Sequence, residues 1–330
     1  MTLQDLDALI VKQHVLVVGD VMIDAYLHGT VSRISPEAPV PIVDLQYREE
    51  NLGGAANVAL NIKAMGATPI LCTAVGNDLN GKLFFRILKH HRLSSEGCIA
   101  FPDRTTTIKS RIMSNTTQML RIDNEQIMPL STAAEQELLR QVDVILHKYD
   151  IAAIIFQDYD KGVLTPTLIA QITQWANALD IPICVDPKKQ NFSNYRNVAL
   201  FKPNLKEFLH GIGHHEGGLQ RPVLFEQMAQ FAGLHTIDTM LVTMSDEGVA
   251  LLTNNRCYHF KAHQRHIADV SGAGDTVISI ATLCMTAGLP PKTMAQIANL
   301  AGGLVCEYAG VVPIDKKTLY KEISTHNILK

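Results

Sequence analysis

Short β-branched runs alternate with longer stretches of helical spacing along most of the chain, and several of those runs are apolar at every position. Residues 15–18, 70–74, 151–156, 181–185, 240–243 and 249–253 read as strands. A strand with one wet face alternates apolar and polar residues, whereas one that is apolar throughout needs cover on both sides, as in a parallel sheet between helices. Helical spacing falls at residues 55–65, 80–90, 133–148, 166–179, 275–287 and 294–308. The pattern is that of an α/β protein. At 330 residues and 47% hydrophobic, the chain can bury a large core. No repeat, low-complexity tract or linker divides it, so residues 1–330 are expected to form one domain. Its loosest stretch, 211–222, reads as a surface loop.

Two segments break the alternation. Residues 40–47 and 98–121 are β-rich with interleaved polar positions, which suits a small sheet over one end of the main one. We expect a lid built from roughly residues 21–50 and 98–122, with too little contiguous apolar sequence to fold alone.

Charge narrows the partners. The formal net charge is -3, with acidic and basic residues interspersed, so nothing favours nucleic acid or an anionic membrane surface. No apolar stretch approaches the roughly 18 residues of a membrane span, and residues 1–12 lack a signal-like apolar run. A cytoplasmic protein acting on small molecules is expected. The six cysteines, Cys72, Cys98, Cys184, Cys257, Cys284 and Cys306, are scattered without a CxxC pair and read as reduced small hydrophobes.

The segment Asp269-Val270-Ser271-Gly272-Ala273-Gly274-Asp275-Thr276-Val277 carries the most chemistry. Gly272 and Gly274 let backbone N–H groups crowd together, and the helix that follows adds its positive N-terminal end, together an anion hole. Asp275 is then placed to act as a base, although an Asp in a first helical turn could equally be an N-cap worth about 1 kcal/mol. Upstream, Gly53-Gly54-Ala55-Ala56-Asn57 enters a helix with room for a ligand against the backbone and an amide suited to sugar hydroxyls. Gly19-Asp20-Val21-Met22-Ile23-Asp24 ends an apolar strand in carboxylates, where open α/β sheets bind ligands, though either Asp could simply cap a turn.

Three patterns mislead. Gly76-Asn77-Asp78-Leu79-Asn80-Gly81-Lys82-Leu83 nearly spells a P-loop, but Leu83 stands where a hydroxyl must hold Mg²⁺; Asp78 near a helix start is the better reading. Gly272-x-Gly274 is a fragment of a dinucleotide fingerprint whose last position is Val277. His214-His215-Glu216 invites a metal, but its histidines share no helical face, and a solvated loop is the simpler reading.

Taken together, these segments resemble the ribokinase (PfkB) family of carbohydrate kinases from about Val15 to Pro313. Gly53-Gly54-x-x-Asn57 is similar to its N-terminal signature, Gly76-x-Asp78-x-x-Gly81 to its common turn, Asn204-x-x-Glu207 to its Asn-x-x-Glu motif, and 269–275 to its C-terminal signature. The resemblance implies a three-layer α/β/α domain with a β lid, ATP and Mg²⁺ as cofactors, Glu207 indirectly at the metal, and lid-mediated homodimers. It places adenosine near Thr243, Ser245, Gly248 and Asn299, with residues 289–294 closing one side. The chain has Ser245-Asp246-Glu247-Gly248 where the family often shows Ser-Glu-x-Gly, and Val311-Val312-Pro313 where hydroxyl residues are common.

Ser32-Arg33-Ile34-Ser35-Pro36-Glu37-Ala38-Pro39-Val40-Pro41, Asp158-Tyr159-x-Lys161-Gly162 and Asp186-Pro187-Lys188 resemble the members that phosphorylate D-glycero-β-D-manno-heptose 7-phosphate at O1. This implies the 1,7-bisphosphate as product, on the route to ADP-heptose and the lipopolysaccharide core, with Arg33 and Asp158 at the sugar. Because the chain ends about where the kinase fold does, the adenylyl step is expected on another polypeptide. A phosphorylated substrate needs cations away from O1, and Lys109, Arg111, Arg121, Lys161 and Lys188 are the candidates. Other sugars, or a sugar-binding protein without catalysis, remain open.

Overall fold

The computed structural model describes residues 1–115, 117–214 and 219–329. The chain begins with α1 (Leu3–Ile10) and β1 (His14–Gly19), then a long antiparallel pair, β2 (Val21–Ile34) and β3 (Pro41–Gly54), which leads into α2 (Ala55–Ala64). Next come β4 (Thr68–Gly76), α3 (Leu79–His90), β5 (Gly97–Phe101), β6 (Ile108–Ser114) and β7 (Thr117–Asn124). The middle holds α4 (Thr132–Lys148), β8 (Ile151–Gln157), α5 (Pro166–Ala178), β9 (Ile183–Asp186), β10 (Val198–Phe201), α6 (Leu205–Gly211) and α7 (Arg221–His235). The remainder is β11 (Ile237–Thr243), β12 (Val249–Thr253), β13 (Arg256–Phe260), α8 (Ala273–Thr286), α9 (Pro291–Val305) and α10 (Lys316–Thr325).

Among the described residues the main sheet has nine strands in the order β13-β12-β11-β10-β9-β8-β1-β4-β5. It is parallel except where β12 pairs with β11 and β13. The apolar runs explain its depth. In β1, Val15 and Val17 join the core on one face, while Leu16 and Val18 join the core on the other. β8 repeats this, with Ile155 on the first face and Ile154 and Phe156 on the second. Helices α1, α2, α8, α9 and α10 cover one side and α4, α5 and α7 the other, giving the expected three layers. Each large aliphatic side chain so buried stabilises the fold by roughly 1.5–3 kcal/mol.

The second sheet has the order β3-β2-β6-β7. Along β2 the side chains pass from buried at Val21–Tyr26 to exposed at Ser32–Ile34, so its base is rooted in the main core and its tip stands in solvent. The expected lid start at residue 98 is corrected: Gly97–Phe101 pairs in parallel with β4 and forms the edge of the main sheet. This strand is too short for its alternation to separate an edge from a lid strand. The glycine-rich stretch 211–222 also overlaps helix, since α6 ends at Gly211 and α7 begins at Arg221. His215 and Glu216 of the metal decoy lie outside the described residues. No helix among the described residues is long and apolar enough to cross a membrane. All six cysteines are free, four of them buried.

Asp78 caps α3, its Oδ1 accepting from Gly81 N–H at 2.6 Å and its Oδ2 from Thr106 N–H at 2.9 Å. It thereby ties the main sheet to the segment entering β6. Asp78→Ala should lower stability by about 1–2 kcal/mol, read as a lower urea midpoint with little change in slope.

Candidate active site

The junction of the two sheets gathers the polar groups. Asp275 sits in the first turn of α8, 3% exposed, beside a helix start that no side chain caps. Gly272, at φ +80, makes the turn into the helix, and a Cβ there would lie 2.9 Å from Asn57 Nδ2. A Cβ on Gly274 would lie 3.3 Å from Lys202 Nζ and 3.7 Å from Asp186 Oδ2. The bare turn thus leaves an open cradle between first-turn N–H groups and a buried ammonium, an arrangement suited to a phosphoryl group.

Three side chains from separate elements hold the Asp275 carboxylate. Asn57 Nδ2, from α2, donates to Oδ2 at 2.8 Å. Gln157 Nε2, ending β8, donates to Oδ1 at 3.0 Å, and the Tyr159 hydroxyl donates to the same Oδ1 at 2.7 Å. Burial raises the Asp275 pKa to about 6, against the lowering pull of Asn57 and Tyr159; Asp186 adds to the rise and Lys202 opposes it. A carboxyl group near 6 is ionised at neutral pH yet basic enough to take a proton.

A cleft of about 790 Å³ opens beside this group. Ala273, Gly274, Lys188, Lys202, Asn204, Glu207, Thr243, Ser245, Gly248 and Asn299 are among the residues that line it. The nucleotide residues expected from the sequence therefore share one cavity. Asn204 and Glu207 also form a reciprocal cap at the start of α6. The stretch 289–294 does not line the cleft: Leu289 and Met294 belong to the core, and Ala262, His263, Gln264, Arg265, Ile267, Gly302, Gly303 and Cys306 line it instead.

The sugar-side candidates separate. Asp24 pairs with Arg111 Nη1 at 2.5 Å, and a Cβ on Gly53 would collide with its carboxylate, so Gly53 is bare to admit Asp24. Gly54, at φ +62, forms the entry to α2. Asp20 is corrected to a structural clamp: both its oxygens are used, Oδ2 on the N–H groups of Tyr159 and Lys161 and Oδ1 on that of Val163. Burial and the nearby Asp158 raise its pKa. Asp158 is likewise engaged, accepting from Asp160 N–H, Asn191 Nδ2 and Tyr195 OH, and does not present a free carboxylate. Arg33 stands exposed near the lid tip, away from the cleft.

The candidate cations are all paired. Lys109 Nζ lies 3.1 Å from both Asp123 and Glu125, and Lys161 Nζ lies 2.8 Å from Glu125. Arg121 is exposed and bonds Asp123. Lys188 is separated from the other candidate cations and lines the 790 Å³ cleft, where its ammonium meets Glu207 and lies 5.2 Å from the Tyr159 ring centre. Burial disfavours its charge, but Asp186 and Glu207 outweigh this and hold its pKa above the usual lysine range.

Reading the sequence missed Gln157, Tyr159, Asp186 and Lys202 as site residues. Asp186 bridges Lys202 Nζ at 2.9 Å and Gln157 Nε2 at 3.1 Å, while its Oδ1 and Gln157 Oε1 are buried without a hydrogen-bond partner among the described residues. Lys202, 2% exposed, gave a signal, because a charged residue ending an apolar strand is rarely buried without a task.

Residues 12–317 match the pfkB family carbohydrate kinase pattern. The chain is similar to the bifunctional protein HldE of Koribacter versatilis, 38% identical over 95% of this chain and 64% of that protein, and to that of Methylobacillus flagellatus, 37% identical over 94% and 63%. It spans less than two-thirds of the length of these relatives. In fold it is similar to phosphofructokinase-2 from Escherichia coli, at TM-score 0.76 and 17% identity over 95% of this chain and 99% of that one. It is also similar to ribokinase from Arabidopsis thaliana solved with ribose and ATP, at TM-score 0.71 and 16% identity over 94% and 99%. A family match across nearly the whole chain, with relatives at this identity, means that the protein belongs to the PfkB family of carbohydrate kinases and is a sugar kinase.

Proposed function

We propose that the protein transfers the γ-phosphoryl group of ATP to the anomeric O1 of D-glycero-β-D-manno-heptose 7-phosphate, giving the 1,7-bisphosphate for ADP-heptose and the lipopolysaccharide core. The observation that carries the transfer is the buried Asp275 carboxylate, with its pKa at about 6, beside the uncapped start of α8. Asp275 takes the hydroxyl proton as O1 attacks, and the N–H groups from Ala273 to Asp275 receive the moving phosphoryl. The bond from the γ-phosphorus to its bridging oxygen breaks, and its electron pair leaves on ADP. The residues present also fit a divalent ion, since Asp186 Oδ1 is a buried carboxylate oxygen without a hydrogen-bond partner among the described residues. Asp186, with Glu207 less directly, would hold Mg²⁺, which would neutralise phosphate charge.

Two things support a sugar phosphate as acceptor. Two of the heptose-kinase-like segments, 158–162 and 186–188, border the site through Tyr159, Asp186 and Lys188, and the HldE proteins are among the chain's relatives. Lys109, in register beside Asp24, and Lys161, in the loop after β8, converge from different elements on Glu125. A phosphate dianion could replace that carboxylate between the two ammonium groups.

Pairing of two copies through the lid is part of the same proposal. Ile34, Leu45, Leu120 and Ile122 are exposed on its strands, an apolar display that suits a second copy of the same sheet.

Asp275→Asn keeps the size of the side chain but removes the proton acceptor. Turnover should fall at least about 10²-fold with much smaller change in ATP binding; near-normal turnover would end the reading of Asp275 as the base. On a panel of heptose 7-phosphate, ribose, fructose and fructose 6-phosphate, the heptose phosphate should have the highest kcat/KM. Lys161→Ala should raise its KM about tenfold, the scale of one charged hydrogen bond, without changing KM for unphosphorylated sugars. Equal kcat/KM for heptose with and without its phosphate would rule out the sugar-phosphate reading. In sedimentation the native chain should run as a dimer, and Leu120→Glu with Ile122→Glu should run as a monomer; a native monomer would end the lid-dimer proposal.

A further inference from the structure

The two oxygens of Asp275 differ in what they can still accept. Oδ1 already receives Gln157 Nε2 and the Tyr159 hydroxyl, which fill its two lone-pair positions. Oδ2 receives Asn57 Nδ2 and keeps one position open. Tyr159 is itself held firmly: its backbone N–H donates to Asp20, and its ring lies beside the Lys188 ammonium. Tyr159 lines the nucleotide cleft, as do Asp186 and Lys202, whereas Asn57 and Gln157 do not. Oδ1 therefore has a donor that borders the cleft, and Oδ2 faces α2 through Asn57.

We infer that Tyr159 is a positioning residue for the transfer: by filling Oδ1 together with Gln157, it leaves Oδ2 as the oxygen that takes the sugar hydroxyl proton, on the Asn57 side of the carboxylate. This rests on the proposed role of Asp275 as base. The Tyr159 hydroxyl stays protonated across the working range, because burial first, and then the charges of Asp275 and Asp186, push its pKa well above that of a free tyrosine. It can act only as a donor there. Every hydrogen bond to a carboxylate favours its ionised form, so removing this one should raise the Asp275 pKa. The charged groups acting on Asp275 are Asp186, Lys188 and Lys202, while Asp24, paired with Arg111, acts on Tyr159. None of these is altered by trimming the tyrosine oxygen.

The test is Tyr159→Phe, which keeps the ring and its contact with Lys188. Turnover near pH 6 should fall roughly tenfold with KM for ATP unchanged, and the acid limb of kcat/KM should move up by about one to one and a half pH units, as expected for loss of one hydrogen bond to a charged carboxylate. Substrate ionisation is common to both proteins and cancels. Carbon-13 NMR of the Asp275 carboxyl in the ligand-free protein should show the same upward shift without any turnover. Gln157→Leu removes the other Oδ1 donor and should shift the titration in the same direction, which keeps the test available if Tyr159→Phe does not fold. An unmoved acid limb and an unmoved titration would overturn the inference even where Asp275→Asn is inactive. Full turnover by Asp275→Asn would instead remove the base reading and, with it, the choice of oxygen.

Discussion

A carboxylate buried to 3% exposure in the first turn of a helix can be kept ionised only if the protein supplies donors, and in this chain they come from two segments far from it in sequence, α2 and the end of β8 with the loop that follows. Asn57 is brought by α2, Gln157 by the end of β8, and Tyr159 by the loop that Asp20 clamps. Each depends on its element being in register, so the geometry of Asp275 integrates the packing of α2 against α8 and the alignment of β8 beside β1. The same burial that lifts the pKa to about 6 would disfavour the charge further if any donor were lost. A buried carboxylate held near neutral pH in this way is an arrangement common at functional sites.

The phosphate side is governed by a second electrostatic balance. Asp186 joins Lys202 to Gln157, Lys188 meets Glu207, and these pairs border a cradle left bare by Gly274. Paired cations keep their place without a ligand, so little reorganisation is needed when an anion arrives. The lid repeats the device with Lys109 and Lys161 around Glu125. Because β2 and β3 run from a buried base to an exposed tip, the lid is anchored at the site and free at the far end.

Much of the fold was legible because runs buried on both faces have few alternatives. Val15–Val18 and Ile151–Phe156 send alternate side chains into two separate cores, and only a covered central strand does that. The failures occur where pattern is short or interrupted. Gly97–Phe101 joins the main sheet because β4 offers it an edge, and nothing within its five residues says so. The helix Arg221–His235 buries Leu224, Met228, Phe231 and His235 at helical spacing, but the glycine-rich stretch before it obscures where it starts.

The sequence by itself determined the α/β class, the glycine turn at 272–274, the carboxylate at 275 that follows it and the resemblance to PfkB kinases, since each is written in contiguous residues. Tertiary structure decided which of the other polar residues share that site. Asp20 and Asp158 read as ligands but spend their oxygens inside the protein, Lys188 lines the cleft, and Tyr159 and Asp186, read only as members of longer motifs, meet Gln157 and Lys202 beside Asp275. The physical reason is that a hydrogen bond depends on distances of about 3 Å between atoms whose residues lie up to a hundred or more positions apart, and only the packed fold sets those distances.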